Sequence, residues 1–504
     1  MHSILQDPAA SNAIVDEAAG RLFGGADGPM ARAWRASVTA LVTYAMGPGP
    51  ASAVDAEVEA MAVARRAVGG LLEVHLQRRI DAIEERSWGM NACPTCGGPT
   101  ESQGRRRRTW TSGAGKLRLR RRYSHCAPCG EGFFPAQKAV GLHETAFTPR
   151  VEEVVTMMAT TVPHGMAVKL VDELLSVEVS ERGVQQMVER RAQGVEIQLR
   201  AEADQAAPLD DQGRPIEFVR PADATSTVEQ VAYLEMDGVV PMTREELVGK
   251  ELSEADRRKQ RRAKKAGARG GRGRRYRLVG REVKNAVLYR GSDCMQESAS
   301  RGLIAAKRYV SHLGDWKTFA ARLWPELLRQ NFDHAQLLVV LSDGADWIRS
   351  LCEWLPISVL LILDLFHVKH RIWEVAHALH GEHTAAARRW AEAQCARIEA
   401  GCAREVIQAL RFVRPARVET NDLVSSLTTY LTGNLDRMDY PRYRAMGLRV
   451  GSGAIESANY HVTGARLKLQ GMRWSEQGAR EMACLRADLF NGNWPARTRQ
   501  LLAA

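Results

Sequence analysis

Val231-Ala-Tyr-Leu-Glu-Met-Asp237-Gly238 is a short apolar run that stops on an acid, and the figure recurs twice downstream. Ala335-Gln-Leu-Leu-Val-Val-Leu-Ser-Asp343-Gly344 repeats it, and the run Ile357 to Leu363 ends in Asp364-Leu-Phe-His367. Short apolar runs bounded by polar residues and glycine read as buried strands. Two more lie between the first pair, Glu282 to Tyr289 and Arg308 to His312, and a helix is expected over Trp316 to Arg329. Repetition of strand-then-Asp places several carboxylates along one edge of a sheet.

Three early strands followed by alternating helix and strand is the order of an RNase H-like mixed sheet, α/β in class. Carboxylates at such an edge suit phosphodiester chemistry, in which negative charge builds on phosphorus and its oxygens. Two Mg²⁺ (or Mn²⁺) ions can activate the attacking oxygen and neutralise the leaving one, and magnesium takes a few hard oxygen ligands. Asp237 and Asp343 are candidate ligands. The third acid is sought in Gly451-Ser-Gly-Ala-Ile-Glu456-Ser-Ala-Asn-Tyr-His-Val-Thr-Gly-Ala-Arg466, where glycines permit a tight entry into a helix. Three- and four-residue spacing puts Glu456, Asn459, Tyr460 and Thr463 on one face of that helix, with Arg466 near it. A strand-end Asp taken alone is more often a turn or cap residue; the ordered set carries the argument.

Upstream, Cys93-Pro-Thr-Cys96 and Cys126-Ala-Pro-Cys129 flank an Arg-rich segment whose alternation reads as a β-hairpin turning at Ser112-Gly113. Four soft thiolates in two matched pairs suit a structural tetrahedral Zn²⁺ and leave no open position for catalysis, so a zinc ribbon is expected. The remaining five of nine cysteines are scattered, a pattern that excludes a disulfide framework. Helices expected over Val151 to Met158, Met166 to Leu175 and Glu181 to Gln193, with Ser180 as N-cap of the third, make a helix-turn-helix. Its second helix would offer Arg182, Gln185 and Gln186 to base edges. An ordinary helical hairpin satisfies the same pattern.

Lys and Arg total 70 against 59 Asp and Glu, a net charge of +11 and a pI near 9.3. A basic surface attracts polyanions, and counterion release supplies affinity for phosphates. The excess clusters at Arg105 to Arg108, Arg118 to Arg122 and Arg257 to Arg275, although single-sign runs are also commonly just solvated. No apolar stretch approaches the roughly 20 residues of a membrane helix. The start, Met1 to Pro8, does not read as a signal peptide, so a cytoplasmic, nucleoid-associated protein is expected. The expected organisation is a helical region over 1–90, a zinc ribbon over 91–141 and a helix-turn-helix over 146–195. A linker over Ala203 to Thr227 precedes a catalytic core over 228–373 and 445–490, interrupted by a helical insertion over 374–444. Ser253 to Tyr276, extremely basic and glycine-rich, suggests no fold of its own.

From Tyr233 to Asn493 the chain resembles bacterial insertion-sequence transposases of the ISKra-like group, related to the Mutator-like transposases. The matching pieces are Met236-Asp237-Gly238, Gly280-Arg-Glu-Val-Lys284, Ser342-Asp343-Gly344-Ala-Asp-Trp347, Asp364-Leu-Phe-His367 and Asn434. They continue through Arg437-Met-Asp-Tyr440, Gly451-Ser-Gly-Ala-Ile-Glu456, Gly471-Met-Arg-Trp474 and Leu485-Arg-Ala487. The resemblance implies Asp237, Asp343 and Glu456 as a catalytic DDE triad holding two ions. It implies that Asp364 and His367 position DNA or a flipped base, whereas on the bare residues His367 reads equally well as a satisfied sheet-end histidine; Asn459, Arg466 and Trp474 are further candidates for positioning. It also implies element ends and target DNA as partners, with at least a dimer on DNA. A zinc-dependent DNA-binding regulator with an inactive core, and a nuclease acting on RNA–DNA hybrids, remain the alternatives.

Overall fold

The computed structural model describes residues 8–23, 25, 27–47, 49, 52–86, 92–206, 219–248, 251–265, 275–298, 301–415 and 417–494. The chain divides into two compact units, the first running to Val188 and the second from Glu189 to Arg497.

In the first unit, helices α1 (Pro8–Phe23), α2 (Pro29–Met46) and α3 (Ala53–Arg86) precede a hairpin of β1 (Thr100–Ser112) and β2 (Gly115–Cys126). A short β3 (Gly132–Phe133) pairs with the end of β2, and α4 (Pro135–Ala139) follows. The strands turn where alternation predicts, with Ser112 opposite Gly115. One face of the hairpin buries Trp110, Leu117 and Leu119 against Ile80 of α3, Ala136 and Leu142. The helix also covers the free edge of β2. Side chains of Glu73, Gln77 and Glu84 accept from the backbone N–H groups of Arg118, Arg120 and Arg122 at 2.7, 2.8 and 2.6 Å. An edge left with unpaired N–H groups is a template for unwanted pairing, and these three acceptors close it.

Helices α5 (Pro149–Thr161) and α6 (His164–Leu175) complete this unit, and α7 (Glu181–Ala206) begins in it and continues into the second. The Ser180 hydroxyl accepts from the N–H of Gly183 at 3.1 Å, the expected cap. The third helix runs well beyond Gln193, because its polar residues do not interrupt the helical spacing of Val184, Met187, Val188, Ala192 and Val195, all buried.

In the second unit, β4 (Val231–Val239), β5 (Met242–Glu246), α8 (Glu254–Lys265), β6 (Tyr276–Gly280) and β7 (Val283–Arg290) come first. Part of the basic segment therefore forms α8, between two strands that pair as a separate ribbon; residues 266–274 lie outside the described residues. So do residues 207–218, most of the expected linker. A second ribbon of β8 (Cys294–Ser298) and β9 (Arg301–Ile304) leads to β10 (Arg308–Leu313), α9 (Trp316–Arg329), β11 (Leu337–Ser342), α10 (Asp346–Trp354) and β12 (Val359–Leu363). Helices α11 (Leu365–His380), α12 (Ala385–Glu399), α13 (Ala403–Leu410), α14 (Val418–Gly433) and α15 (Tyr440–Ala445) follow. The unit ends with α16 (Gly453–Ala458), a π-helical turn over 459–464, α17 (Ala465–Leu467) and α18 (Glu476–Phe490).

Five strands form one mixed sheet in the order β10-β7-β4-β11-β12. The first three are antiparallel to their neighbours, while β4, β11 and β12 run parallel. Strand alternation sorts the core. Ala232, Leu234, Met236, Leu338 and Val340 pack on Phe319, Leu323 and Ile348 of α9 and α10. Tyr233, Val339, Leu341 and Ile362 share the opposite core with α11 to α16. The helical insertion is thus continuous with the sheet's own core. Among the described residues no helix is long and apolar enough to cross a membrane.

Candidate metal centres and the strand-end site

Register fixes the heart of the site. Ser342 pairs with Met236 on one side and with Leu363 on the other. The next residue on each parallel strand is Asp237, Asp343 and Asp364, so three acids stand in one row at the carboxyl ends of adjacent strands. Asp343 and Asp364 stand two residues beyond Leu341 and Ile362 of the core shared with α11 to α16, and Asp237 four beyond Tyr233, so by the pleat all three turn toward that face.

The three are not equivalent. Asp364 is fully buried and saturated. One oxygen accepts from the N–H of Phe366 at 2.6 Å, capping α11; the other accepts from His367 Nδ1 at 3.0 Å and from both the N–H (3.2 Å) and hydroxyl of Ser452. Burial alone would raise its pKa, but the donors from His367, Ser452 and Phe366 outweigh burial and hold it below the ordinary value. His367 is raised chiefly by the hydrogen bond to Asp364, against burial, with the charges of Asp364, Asp237 and Asp343 adding to it. The acids of the row therefore favour the charged form of this imidazole.

Asp237 and Asp343 keep open oxygens. Asp237 accepts from its neighbour Gly238 N–H at 2.7 Å and from Asn459 Nδ2 at 2.6 Å. Burial pushes its pKa up to about 6, with the negative charge of Asp343 in the same direction. Asp343 accepts from Ala345 N–H at 2.9 Å. Gly344 between them holds φ +93°, and a Cβ there would stand 2.8 Å from Leu363 Cδ1, so the turn demands glycine.

Glu456, exposed on α16, is brought to the row by two buried carboxylates. Asp364 grips Ser452, the residue before the helix. Glu235, completely buried two residues before Asp237, accepts from Ile455 N–H at 2.8 Å and from the Tyr289 hydroxyl at 2.5 Å. Burial raises the Glu235 pKa to about 7 despite those two donors. The ligand atoms of Asp364, His367 and Glu456 lie within 4.8 Å of one another. Among the described residues Asp237 and Asp343 do not join Glu456 in a group that tight. Asp237, Asp343 and Asp364 thus share one sheet edge, and Glu456 lies beside Asp364 and His367.

A polar chain orients Asp237 from the antiparallel side. Asn285 stands opposite Asp237 on β7. Its Oδ1 accepts from Ser311 (2.6 Å) and Thr463 (3.0 Å), and its Nδ2 donates to Asn459 Oδ1 at 2.8 Å, whose amide then donates to Asp237. The helical insertion contributes too: the Tyr430 hydroxyl donates to the Asp343 carbonyl at 2.8 Å and the Tyr440 hydroxyl to the Leu363 carbonyl at 3.0 Å.

Of the other expected site residues, Asn459 acts on Asp237 itself. Arg466 and Trp474 are turned inward: Arg466 is 1% exposed, its guanidinium 4.8 Å from the Trp474 ring, and the indole N–H donates to the Leu467 carbonyl at 3.2 Å. That packing corrects the expectation that they touch DNA. For Arg466 the π-turn over 459–464 inserts an extra residue and breaks the 3.6-residue spacing on which its face was read, whereas Trp474 lies beyond that helix, bridged to Thr243. Arg182, Gln185 and Gln186 are exposed in the first turns of α7.

The second centre is in the first unit. The sulfurs of Cys93, Cys96, Cys126 and Cys129 all lie within 4.8 Å of one another, with Cys93–Cys129 at 3.5 Å and Cys96–Cys126 at 3.6 Å. Four sulfurs around one zinc at ~2.3 Å stand about 3.8 Å apart, so the thiols fit such an ion. The two halves are built alike: the N–H of Gly97 donates to the Cys93 carbonyl, and that of Gly130 to the Cys126 carbonyl, at 2.9 and 2.8 Å. Both glycines take positive φ, 71° and 75°, which the tight knuckle requires.

Glu235, Asn285, Tyr289, Tyr430 and Ser452 were not singled out from the sequence. For Glu235 a signal existed: an acid amid the apolar residues of a buried strand, in phase with Asp237. The others are recognisable only from strand pairing and tertiary packing.

A family described as an uncharacterised protein family (UPF0236) is similar to residues 280–500, less than half of the chain. The matched stretch contains Asp343, Asp364, His367 and Glu456, but neither Asp237 nor the four cysteines. No curated protein matches the chain.

Proposed function

We propose that the chain is a DNA transposase of DDE type, whose catalytic acids Asp237, Asp343 and Glu456 hold divalent metal on an RNase H-like core. The observation that carries this reading is the register row: strand-end aspartates on adjacent parallel strands, joined by a glutamate helix that buried carboxylates pin to the same edge. The strand order, three antiparallel strands followed by two parallel ones, supports the core assignment. The similarity to UPF0236 is compatible with it and adds no activity of its own.

Mg²⁺ or Mn²⁺, when bound, supplies activation of the attacking oxygen and neutralisation of the leaving one. The residues' own contributions follow from the geometry. Asp237 and Asp343 would hold the cation together, its charge offsetting the burial and mutual repulsion that raise the Asp237 pKa, and Asp237 presents an oxygen aimed by Asn459. Asp343 is fixed by its own turn and by Tyr430. His367, held by Asp364, offers its second nitrogen to phosphate or to a reacting oxygen beside Glu456. The reaction is hydrolysis at an element end, leaving a 3′ hydroxyl, followed by attack of that hydroxyl on a target phosphodiester.

We further assign a structural Zn²⁺ to the four cysteines, and DNA reading to α6 and α7 as a helix-turn-helix through Arg182, Gln185 and Gln186. Two ends joined to one target call for at least two copies on DNA, in a nucleoid setting. The test is cleavage of labelled duplex carrying the element's own ends, with Mg²⁺ and with EDTA, beside Glu456→Gln. Metal-dependent nicking at the boundary, lost in the variant, supports the proposal. Specific binding without nicking by the unaltered chain rejects it and favours a DNA-binding regulator.

A further inference from the structure

The Arg-rich hairpin carries two kinds of cation, and the structure separates them. Some serve the fold. Arg105 pairs with Asp81 and with Glu84, Arg108 with Glu144 at 2.7 Å, and Arg106 lies 3.7 Å from the Tyr123 ring. Arg121, 3% exposed, lies 3.7 Å from the Phe134 ring, and Arg122 is buried with its guanidinium on the Glu84 carbonyl.

The rest form a face. Arg107 stands directly opposite Arg120, Thr109 opposite Arg118, and Thr111 opposite Lys116. By the two-residue alternation of strands these six share one side of the ribbon, the side away from Trp110, Leu117 and Leu119. Arg107, Thr109, Lys116, Arg118 and Arg120 are all exposed. Arg107, Lys116, Arg118 and Arg120 have no carboxylate partner among the described residues. The acids along the β2 edge, Glu73 and Glu84, are bonded to the backbone N–H groups of Arg118 and Arg122. Like charges directly opposite one another in a ladder destabilise it, and here nothing offsets the repulsion.

We infer that this face is a docking surface for duplex DNA, with Arg107, Lys116, Arg118 and Arg120 seated on phosphates. The choice of DNA rests on the proposed function; the cationic face itself does not. A two-stranded ribbon fits the major groove of B-DNA, whereas the deep, narrow major groove of A-form RNA excludes it. The apolar side of the hairpin is already packed, so the ribbon presents a stiff surface. The two knuckles tie the strands together at the opposite end from the turn.

The test uses the full-length, zinc-loaded chain and fluorescence anisotropy with a 30-base-pair DNA duplex of arbitrary sequence and the matching RNA duplex, titrated with NaCl. Each phosphate contact contributes roughly 0.9 to the slope of log K against log salt. The Arg107→Gln/Arg118→Gln/Arg120→Gln variant should lower that slope by about 3 and weaken DNA binding at least tenfold at low salt. The corresponding triple Lys variant should restore most of the slope, and Arg105→Gln should leave it unchanged. An unchanged slope in the Gln variant with circular dichroism and zinc content intact overturns the inference, as does tighter binding of the unaltered chain to the RNA duplex. Failure of the Lys variant to restore the slope also overturns it. If the chain proves unable to nick DNA but the slope still falls, the docking surface stands and the catalytic proposal alone is lost.

Discussion

The thiol centre and the acid row solve one problem, gathering ligands for a cation, in opposite ways. All four sulfurs come from two knuckles of similar design, each with its own positive-φ glycine, and one hairpin joins them. The acids come from positions 237, 343, 364 and 456, on three strands and a helix, and most of the machinery around them binds no cation. Glu235 and Asp364 hold α16, Asn285 and Asn459 aim Asp237, and tyrosines of the insertion hold the strand ends. A soft, closed site can be self-contained, because thiolate bonding to the ion supplies its own free energy. An open site of hard ligands must be assembled by the fold, since like charges left side by side repel until a cation arrives.

The sharpest way to break the comparison is to remove a sulfur. Zinc binding to such sites is worth on the order of 10 kcal/mol, and that free energy is also folding free energy. Cys126→Ser is expected to abolish bound zinc, measured by elemental analysis. It should also expose the β1–β2 amides to hydrogen exchange while leaving protection in the five-stranded sheet. Full zinc retention, or loss of protection throughout both units, would contradict a self-contained centre.

Removing an acid should do the reverse. Asp237→Asn is expected to lower metal-dependent cleavage by on the order of 10²–10³-fold, the usual cost of losing one preorganised electrostatic group. In EDTA the variant should be no less stable. The folded pKa of Asp237, about 6, lies above its unfolded value, so the folded chain binds more protons between the two. Stability from this group is therefore present at low pH and declines as pH rises to about 6. Asn removes that decline, so thermal melts in EDTA should show the variant level with the parent at pH 4 and equal or higher at pH 7. A variant clearly less stable at pH 7 would mean Asp237 is a structural residue.

What the sequence made legible follows the same division. The knuckles are local, so Cys-x-x-Cys spacing was enough to place all four sulfurs. The strands were legible because burial on both faces leaves unbroken apolar runs ending in Asp, and the helix Trp316–Arg329 matched its expected span. Glu235 was overlooked because a strand pattern does not tell a buried acid with partners from a misplaced one. Asn285 was invisible because its importance lies in standing opposite Asp237, a fact of register. Arg466 was placed on the wrong side because a wheel of constant pitch cannot anticipate a π-turn. The helical nature of α8 was hidden by its charge: nine of its twelve residues carry a formal charge, so no apolar period marks it.

Smaller effects test the supporting carboxylate. Glu235→Leu fits the buried volume but strips acceptors from the Ile455 N–H and the Tyr289 hydroxyl, about 1–3 kcal/mol for each buried donor left unpaired. Loosening of α16 should cut cleavage roughly tenfold and raise the Mg²⁺ needed for half-maximal rate. Glu235→Gln retains an acceptor for Ile455 and should recover much of that loss. Equal damage from both would mean the negative charge, and not the acceptor geometry, is what matters.

The gentlest test is Asn285→Ala. The Asn285 side chain makes no hydrogen bond to the acids; it is 2% exposed and bonded to Ser311, Thr463 and Asn459. Its loss costs Asn459 one of two partners that fix its amide, so the hydrogen bond to Asp237 persists but is no longer aimed. A single buried hydrogen bond of this kind is worth about 1 kcal/mol, which corresponds to roughly a fivefold change in rate if it is spent on orientation. The expected pattern is a rate lowered by that amount at saturating Mg²⁺, with DNA binding unchanged. If stability falls while the rate per folded molecule holds, the chain of amides is only packing. The row would then owe its geometry to the strands alone.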